Sequence, residues 1–290
     1  MPELPDLAVV VDALHTSLTN RAVLEVRALA PLAVRATPAE IAGLAGMRVE
    51  GVRRRGKFVI LRLSAADLAV NPMLTGRLQL AGADAKLPGS TAVVVRFGPR
   101  SGPPTDAAAW TADRPWLPSD AAGPELRYRD PSQMGKVYVL PHGGVRSAWG
   151  LEADQGPDAD DPALTLEVWR DRIRRHPGEL KSLLRNQAFV AGIGNAYSDE
   201  ILHAARLSPF RKRSALAAEE VDALYAALRG TLADAITTLR ARVPPTFETQ
   251  VRDFLAVHLR GGQACPRCGA RLSELASRGE TTTWCRACQP

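Results

Sequence analysis

Apolar residues recur with the helical period at Leu7, Val10, Val11, Leu14 and Leu18, which predicts that the N-terminus leads straight into a helix over 7–18. Pro5 and Asp6 fall in its first turn, where a fixed φ and a carboxylate both favour a helix start. From about residue 22 to 142 the texture changes to short alternating or apolar runs, among them VRRRGKFVILRL, AVVVRF and GKVYVLP, broken by Gly and Pro. Such runs predict a β-rich domain. Within it the stretch from Gly98 to Gly123, rich in Pro, Gly, Ala and Asp, reads as a long loop. An acidic connector from Glu152 to Asp161 marks a boundary, and beyond it helical patterns run over 163–174, 178–186, 195–205 and 216–239. Thr281, Thr282, Thr283 and Trp284 then favour a strand. The order is therefore a β domain, a helical domain and a small terminal hairpin, with no internal repeat and no extended low-complexity tract.

The 290 residues suffice for two domains and an appendage, with a sizeable core. Hydrophobic residues at 46% and charged residues at 23% are the balance of a soluble globular protein. No run of about 18 apolar residues exists, which excludes a membrane-spanning helix. The start carries acid where a secretory leader needs positive charge, so a cytoplasmic location is expected. A net charge of +6 makes polyanions plausible partners. Arg53, Arg54, Arg55 and Lys57 cluster, as do Arg172, Arg174, Arg175, Arg211, Lys212 and Arg213. Each cluster reads equally as a solvated basic face.

All four cysteines lie in the last 26 residues, at Cys265, Cys268, Cys285 and Cys288. Two C-x2-C pairs sixteen residues apart have the spacing of a four-thiolate zinc site, in which each tight turn aims two sulfurs at one tetrahedral ion. Gly269 supplies the conformational freedom such a turn needs. Two disulfides are the alternative, which a reducing compartment disfavours. Four thiolates leave no open coordination position, so the zinc is expected to be structural, and its binding energy to fold a hairpin too small to fold alone.

In the segment AGIGNAYSDEILHAARLSP, Gly192 and Gly194 permit a tight turn, Asn195 can cap, and a new helix follows. Exposed amides at such a helix start can hold a phosphate. An ordinary helix-to-helix turn has the same signature. The opening MPELPD likewise reads, by itself, as a frayed end.

With MPELPD at one end, GIGNAYSDEIL in the helical half and CPRCG…TWCRACQ at the other, the chain resembles the formamidopyrimidine-DNA glycosylase and endonuclease VIII family, in the right order over nearly its whole length. The resemblance implies an α+β multidomain fold. Residues 1–150 would form a catalytic N-terminal β-sandwich with flanking helices, 151–245 a helix-two-turn-helix DNA-binding domain, and 246–290 a four-cysteine zinc-finger β-hairpin. It implies a base-excision repair glycosylase with AP lyase activity by β,δ-elimination, a monomer acting on damaged double-stranded DNA in the cytoplasmic nucleoid, with one structural Zn2+ and no membrane partner. Loss of Met1, which aminopeptidase removes readily before proline, would leave Pro2 as a secondary amine. An α-amino group has a pKa of about 8, so a useful fraction is neutral at physiological pH. That amine would attack the sugar, and Glu3 beside it would move protons. The resemblance further implies that Lys57, in RRRGKFVIL, is the hairpin lysine at the sugar and phosphate, and that Asn195 binds phosphate. Lys181 in LKSLL resembles a basic position of the same domain, and Arg77 and Arg278 are counted with the DNA contacts.

A base inside a duplex must be flipped and its gap filled. The resemblance implies that Leu74 in NPMLTGRLQL and Met134 in RDPSQMGKVY take the wedge positions, though either reads equally as core. Departures from the family pattern cluster at the recognition surface. Asp6 replaces a usual glutamate, Ser132 and Gln133 replace two arginines, and Glu280 stands where the zinc hairpin usually carries arginine. The short segment between Thr238 and Cys265 leaves little room for a lesion-capping loop, which points to oxidised or ring-opened bases generally rather than 8-oxoguanine. A non-catalytic paralogue that recognises distorted DNA is the alternative, and a zinc-ribbon RNA-associated protein a remoter one.

Overall fold

The structure, a computed structural model, describes residues 1–112, 123–142, 155–244, 247–277 and 279–290. Two compact units emerge: Met1–Pro2 with Asp6–Glu152 and Leu239–Gln250, and Glu3–Pro5 with Ala153–Thr238 and Val251–Pro290.

The first unit carries most of helix α1 (Leu4–Leu18), the short α2 (Pro38–Ala42) and, among the described residues, nine strands: β1 (Arg21–Ala28), β2 (Val34–Arg35), β3 (Val49–Arg55), β4 (Phe58–Leu63), β5 (Ala66–Asn71), β6 (Arg77–Gly82), β7 (Thr91–Arg100), β8 (Pro124–Arg129) and β9 (Lys136–Pro141). They form a four-stranded sheet, β1-β7-β8-β6, and a five-stranded sheet, β2-β9-β5-β4-β3. Pairing is antiparallel except between β2 and β9. The run FVIL in β4 does not alternate because Phe58, Val59, Ile60 and Leu61 are all buried, the mark of a strand covered on both faces. Strand β7 continues to Arg100, opposite Arg21, so the expected loop begins after the glycine at 98 rather than at it. Cross-strand pairing outweighs the breaker residues here.

Two arginines of this unit are structural. Arg127 is buried against Glu125 at 2.8 Å and donates to the carbonyls of Gly82, Ala85 and Lys86. Arg21, fully buried, donates to the carbonyls of Ser17 and Gly98. Both serve the sheets from inside rather than as part of a basic surface.

The second unit contains α3 (Leu166–Arg175), α4 (Leu180–Arg185), α5 (Asn195–Ala205), all but the last turn of α6 (Ala218–Arg242), and the hairpin β10 (Ser273–Ser277) with β11 (Glu280–Trp284). Helix α3 begins at 166, later than its apolar period suggests, because the Thr165 hydroxyl accepts the Val168 N–H and caps it there. Helix α1 begins at Leu4, earlier than predicted. Trp169, Phe189, Tyr197 and Ile201 meet Leu224, Leu228 and Leu232 of α6 in the core, and the Trp169 indole N–H is satisfied by the Val221 carbonyl at 3.1 Å. Among the described residues no helix is long and apolar enough to cross a membrane.

Candidate active site and nucleic-acid interface

Glu3 is 2% exposed. Its Oε2 accepts the N–H groups of Gly194 at 2.6 Å and Tyr197 at 3.2 Å, and its Oε1 accepts that of Ala196 at 2.9 Å. The carboxylate therefore caps α5 at the positive end of the helix dipole, where each charge-assisted bond is worth about 1.5–3 kcal/mol. The guanidinium of Arg252 lies 3.7 Å from Oε1 and stacks over the Tyr197 ring at 5.8 Å. The glycines of AGIGN now have separate reasons. A Cβ on Gly194 would fall 2.5 Å from the Glu3 carboxyl carbon, and Gly192, at φ +100°, lies against Leu4, whose N–H it accepts at 2.9 Å. These amides, expected as a possible phosphate cradle, already hold the protein's own carboxylate. Pro2, one covalent step before Glu3, is buried as well. While Met1 remains attached, the Pro2 nitrogen is an amide.

The side chain of Asn195 donates from Nδ2 to the Thr281 carbonyl at 2.9 Å, and its Oδ1 is buried without a partner. The same carbonyl accepts from Lys181 Nζ at 3.1 Å. Lys181 is buried against Asp199, at 2.6 Å, and burial lowers its pKa while the Asp199 charge opposes that shift. The other Asp199 oxygen contacts His258 Nδ1 at 2.8 Å. Next along α5, Glu200 accepts the amides of Ala256, Val257 and His258 at 2.7–2.9 Å. The Asp-Glu pair of YSDEIL thus binds α4, the 256–258 segment and β11 to α5. Arg185, at the end of α4, forms an ion pair with Glu280 at the start of β11. Arg185, Asp199, Glu200, Arg252 and His258 were not singled out from the sequence. For Asp199 and Glu200 the one signal there is charge within a helix that otherwise reads as core; Arg185 closes α4, and Arg252 and His258 lie outside the helices with no local signal.

The four cysteine sulfurs lie within 4.8 Å of one another, with Cys265 and Cys285 buried. The sulfur–sulfur separations are 4.0 Å for Cys265–Cys288 and 3.5 Å for Cys268–Cys285. A tetrahedron with Zn–S bonds of 2.3 Å has sulfur–sulfur edges of about 3.8 Å, so this donor set fits zinc in size and in chemistry.

In the first unit, Lys57 stands with Gly56, at φ +54°, in the two-residue turn joining β3 and β4, braced by a bond from Arg54 to the Gly56 carbonyl at 2.9 Å. Lys57 is thus a turn residue. Leu74 is 47% exposed and Met134 45%, which excludes the core reading of both. Each follows a residue of left-handed backbone, Met73 at φ +48° and Gln133 at φ +53°. Asp130 ties their loops together: it accepts from the Thr75 hydroxyl, the Ser132 hydroxyl at 2.9 Å, the Gly135 amide at 2.7 Å and the Tyr128 hydroxyl at 3.1 Å. Burial by itself would raise the Asp130 pKa, but these donors, Thr75 foremost, hold it below the usual carboxylate value. Burial, and then the Asp130 charge, push the Tyr128 phenol well above its ordinary pKa. Arg77, at the start of β6, is half-buried and donates to Gln250 Oε1 at 2.8 Å and to the Gly76 carbonyl at 2.7 Å. Asp6 accepts from the other end of the Gln250 amide at 3.3 Å. Arg278 lies outside the described residues.

Three family models match the chain: "Formamidopyrimidine-DNA glycosylase N-terminal domain" over residues 1–137, "Formamidopyrimidine-DNA glycosylase H2TH domain" over 155–243, and "Zinc finger found in FPG and IleRS" over 262–290. Among curated proteins, a formamidopyrimidine-DNA glycosylase of a Roseiflexus species is 32% identical over 298 residues, covering 100% of both chains. That of Symbiobacterium thermophilum is 31% identical, covering 100% of this chain and 90% of the relative. The same fold appears in Lactococcus lactis Fpg complexed with DNA containing an abasic site, at a TM-score of 0.82, 23% identity and 99% coverage of both chains.

Proposed function

Since the chain belongs to the formamidopyrimidine-DNA glycosylase family, we propose that it is a bifunctional glycosylase and AP lyase that removes oxidised or ring-opened bases from double-stranded DNA through the amine of Pro2. The observation that carries this reading is the Glu3 carboxylate, buried and immobilised by three amides directly beside Pro2. Once Met1 is removed, the neutral Pro2 nitrogen attacks the sugar C1′ and the base departs with the C1′–N bond pair; the attacking nitrogen then gives up its proton, the C1′–O4′ bond opens with O4′ taking up a proton, and an iminium ion links enzyme and sugar. That ion accepts the electrons released when the 2′ proton is taken, and the 3′ and then the 5′ phosphate leave. Glu3 is the proton carrier, and its fixed geometry removes the need to order it during reaction.

The remaining roles follow the same reading. Lys57 supplies charge at the sugar and phosphate, Asn195, Lys181, Arg77 and Arg278 contact the backbone, and Leu74 and Met134 fill the space left by the flipped base. Residues 1–150, 151–245 and 246–290 divide into catalysis, duplex binding and a zinc-held clamp. Cys265, Cys268, Cys285 and Cys288 would hold the ion, which crosslinks a hairpin too small to fold alone. Borohydride trapping on abasic and oxidised-base duplex tests the proposal. A covalent adduct is expected from protein whose N-terminal mass lacks Met1, and absence of that adduct refutes it. Ser132, Gln133 and Glu280, in places where the family usually carries arginine, favour a non-catalytic damaged-DNA binder as the second reading. Retained Met1 in the mature protein would decide for it.

A further inference from the structure

Three donors of the candidate phosphate surface converge on two consecutive hairpin residues. The Arg185 guanidinium is paired with the Glu280 carboxylate, and the Thr281 carbonyl accepts both Lys181 Nζ and Asn195 Nδ2. The α5 amides beside them are filled by Glu3. Every one of these donors therefore already faces an oxygen of the protein itself. The arrangement does not fully satisfy Asn195, whose Oδ1 is left buried and unpartnered. The ion pair, by contrast, is accessible: the Arg185 side chain is 30% exposed and that of Glu280 46%. Glu280 is also the residue whose sign is reversed relative to the family pattern.

We infer that Glu280 is an intramolecular phosphate mimic, which holds Arg185 in the DNA-free protein and gives it up to a DNA phosphate on binding. The exchange conserves charge: a carboxylate leaves the guanidinium and a phosphate oxygen takes its place, in the bidentate geometry arginine favours. In this hairpin the cation that grips DNA comes from α4, and the hairpin contributes the anion that competes with it. Duplex binding is then weaker than the cationic surface alone would give, and undamaged DNA is released more readily. The inference rests on the DNA-binding reading above.

The test is duplex affinity of the full zinc-loaded chain, with undamaged DNA as the probe, for wild type, Glu280→Gln, Arg185→Ala and the double variant. Glu280→Gln is expected to bind about three- to tenfold tighter, with unchanged zinc content and thermal midpoint, because a half-exposed pair contributes little to folding. Arg185→Ala should bind more weakly than wild type, and adding Glu280→Gln to it should bring no gain. Equal or weaker binding by Glu280→Gln overturns the inference. So does a full gain in the Arg185→Ala background, which would mean simple repulsion between Glu280 and DNA. If wild type and every variant lack salt-sensitive duplex binding, the DNA-binding reading itself falls.

Discussion

At the residue scale the proposed chemistry rests on a carboxylate that is short of alternatives. Glu3 is held by three amides of one helix start, and Gly194 is the residue that lets it approach so closely. Gly194→Ala is expected to destabilise the protein by about 1–3 kcal/mol through overpacking, and to lower abasic-strand cleavage by more than the folded fraction accounts for. Denaturant titration paired with cleavage at saturating DNA measures both. Asp130 provides a pH test. Its pKa is depressed in the folded protein, so its contribution to stability is complete above the unfolded value of about 3.9 and disappears as pH falls through the lower folded value. Asp130→Asn should therefore be less stable than wild type at neutral pH, and the gap should narrow below about pH 4. Urea midpoints across pH 2.5–7 would show it. The sequence singled out Pro2 and Glu3 by position and residue type, but not the partners of Glu3, which lie about 190 residues away in the chain.

Elements matter because each positions its residues through a neighbour. The loops carrying Leu74 and Met134 share one anchor, Asp130, and present both apolar side chains to solvent. Truncation of an exposed side chain changes stability by about 0.5 kcal/mol or less. Leu74→Ala should thus fold normally while excising a base from duplex several-fold more slowly, with a smaller effect on a pre-formed abasic site. Equal losses on both substrates would remove the wedge role. Helices α4 and α5 and strand β11 meet at Asp199, whose side chain is wholly buried with Lys181 and His258. Asp199→Ala leaves the Lys181 ammonium buried and unpaired, a change expected to cost about 3–5 kcal/mol. A fall in thermal midpoint of zinc-loaded protein, with the hairpin loosened before the helices by hydrogen exchange, is the expected result. Helix α1 and helices α3 to α6 were legible to within a few residues, whereas residues 22–142 were legible only as β-rich, without their individual strands or the short α2. The exceptions have local causes, such as the Thr165 cap and the pairing of Arg100 with Arg21.

For the whole molecule, the positive excess of +6 spreads over structural and surface roles: buried Arg21 and Arg127 serve the sheets, whereas Arg185 and Lys181 face the hairpin. The zinc ion proposed for the four cysteines is the remaining lever. Removal of metal by a strong chelator should unfold residues around Cys265–Cys288 and abolish tight duplex binding, while the sheets of the first unit retain their far-ultraviolet signal. One zinc per chain by native mass spectrometry checks the stoichiometry. By itself the sequence determined whatever depends on local spacing: the helical and alternating periods, the two C-x2-C turns, and the adjacency of Pro2 to Glu3. Covalent geometry carries such features without help from distant residues. Tertiary structure alone decided which oxygen each donor faces. It filled the α5 amides with Glu3 rather than leaving them for phosphate, exposed Leu74 and Met134, and set Glu280 on Arg185. A buried polar group must take whichever partner the fold brings within about 3 Å, and partners 95 or 191 residues apart leave no periodic trace in the chain.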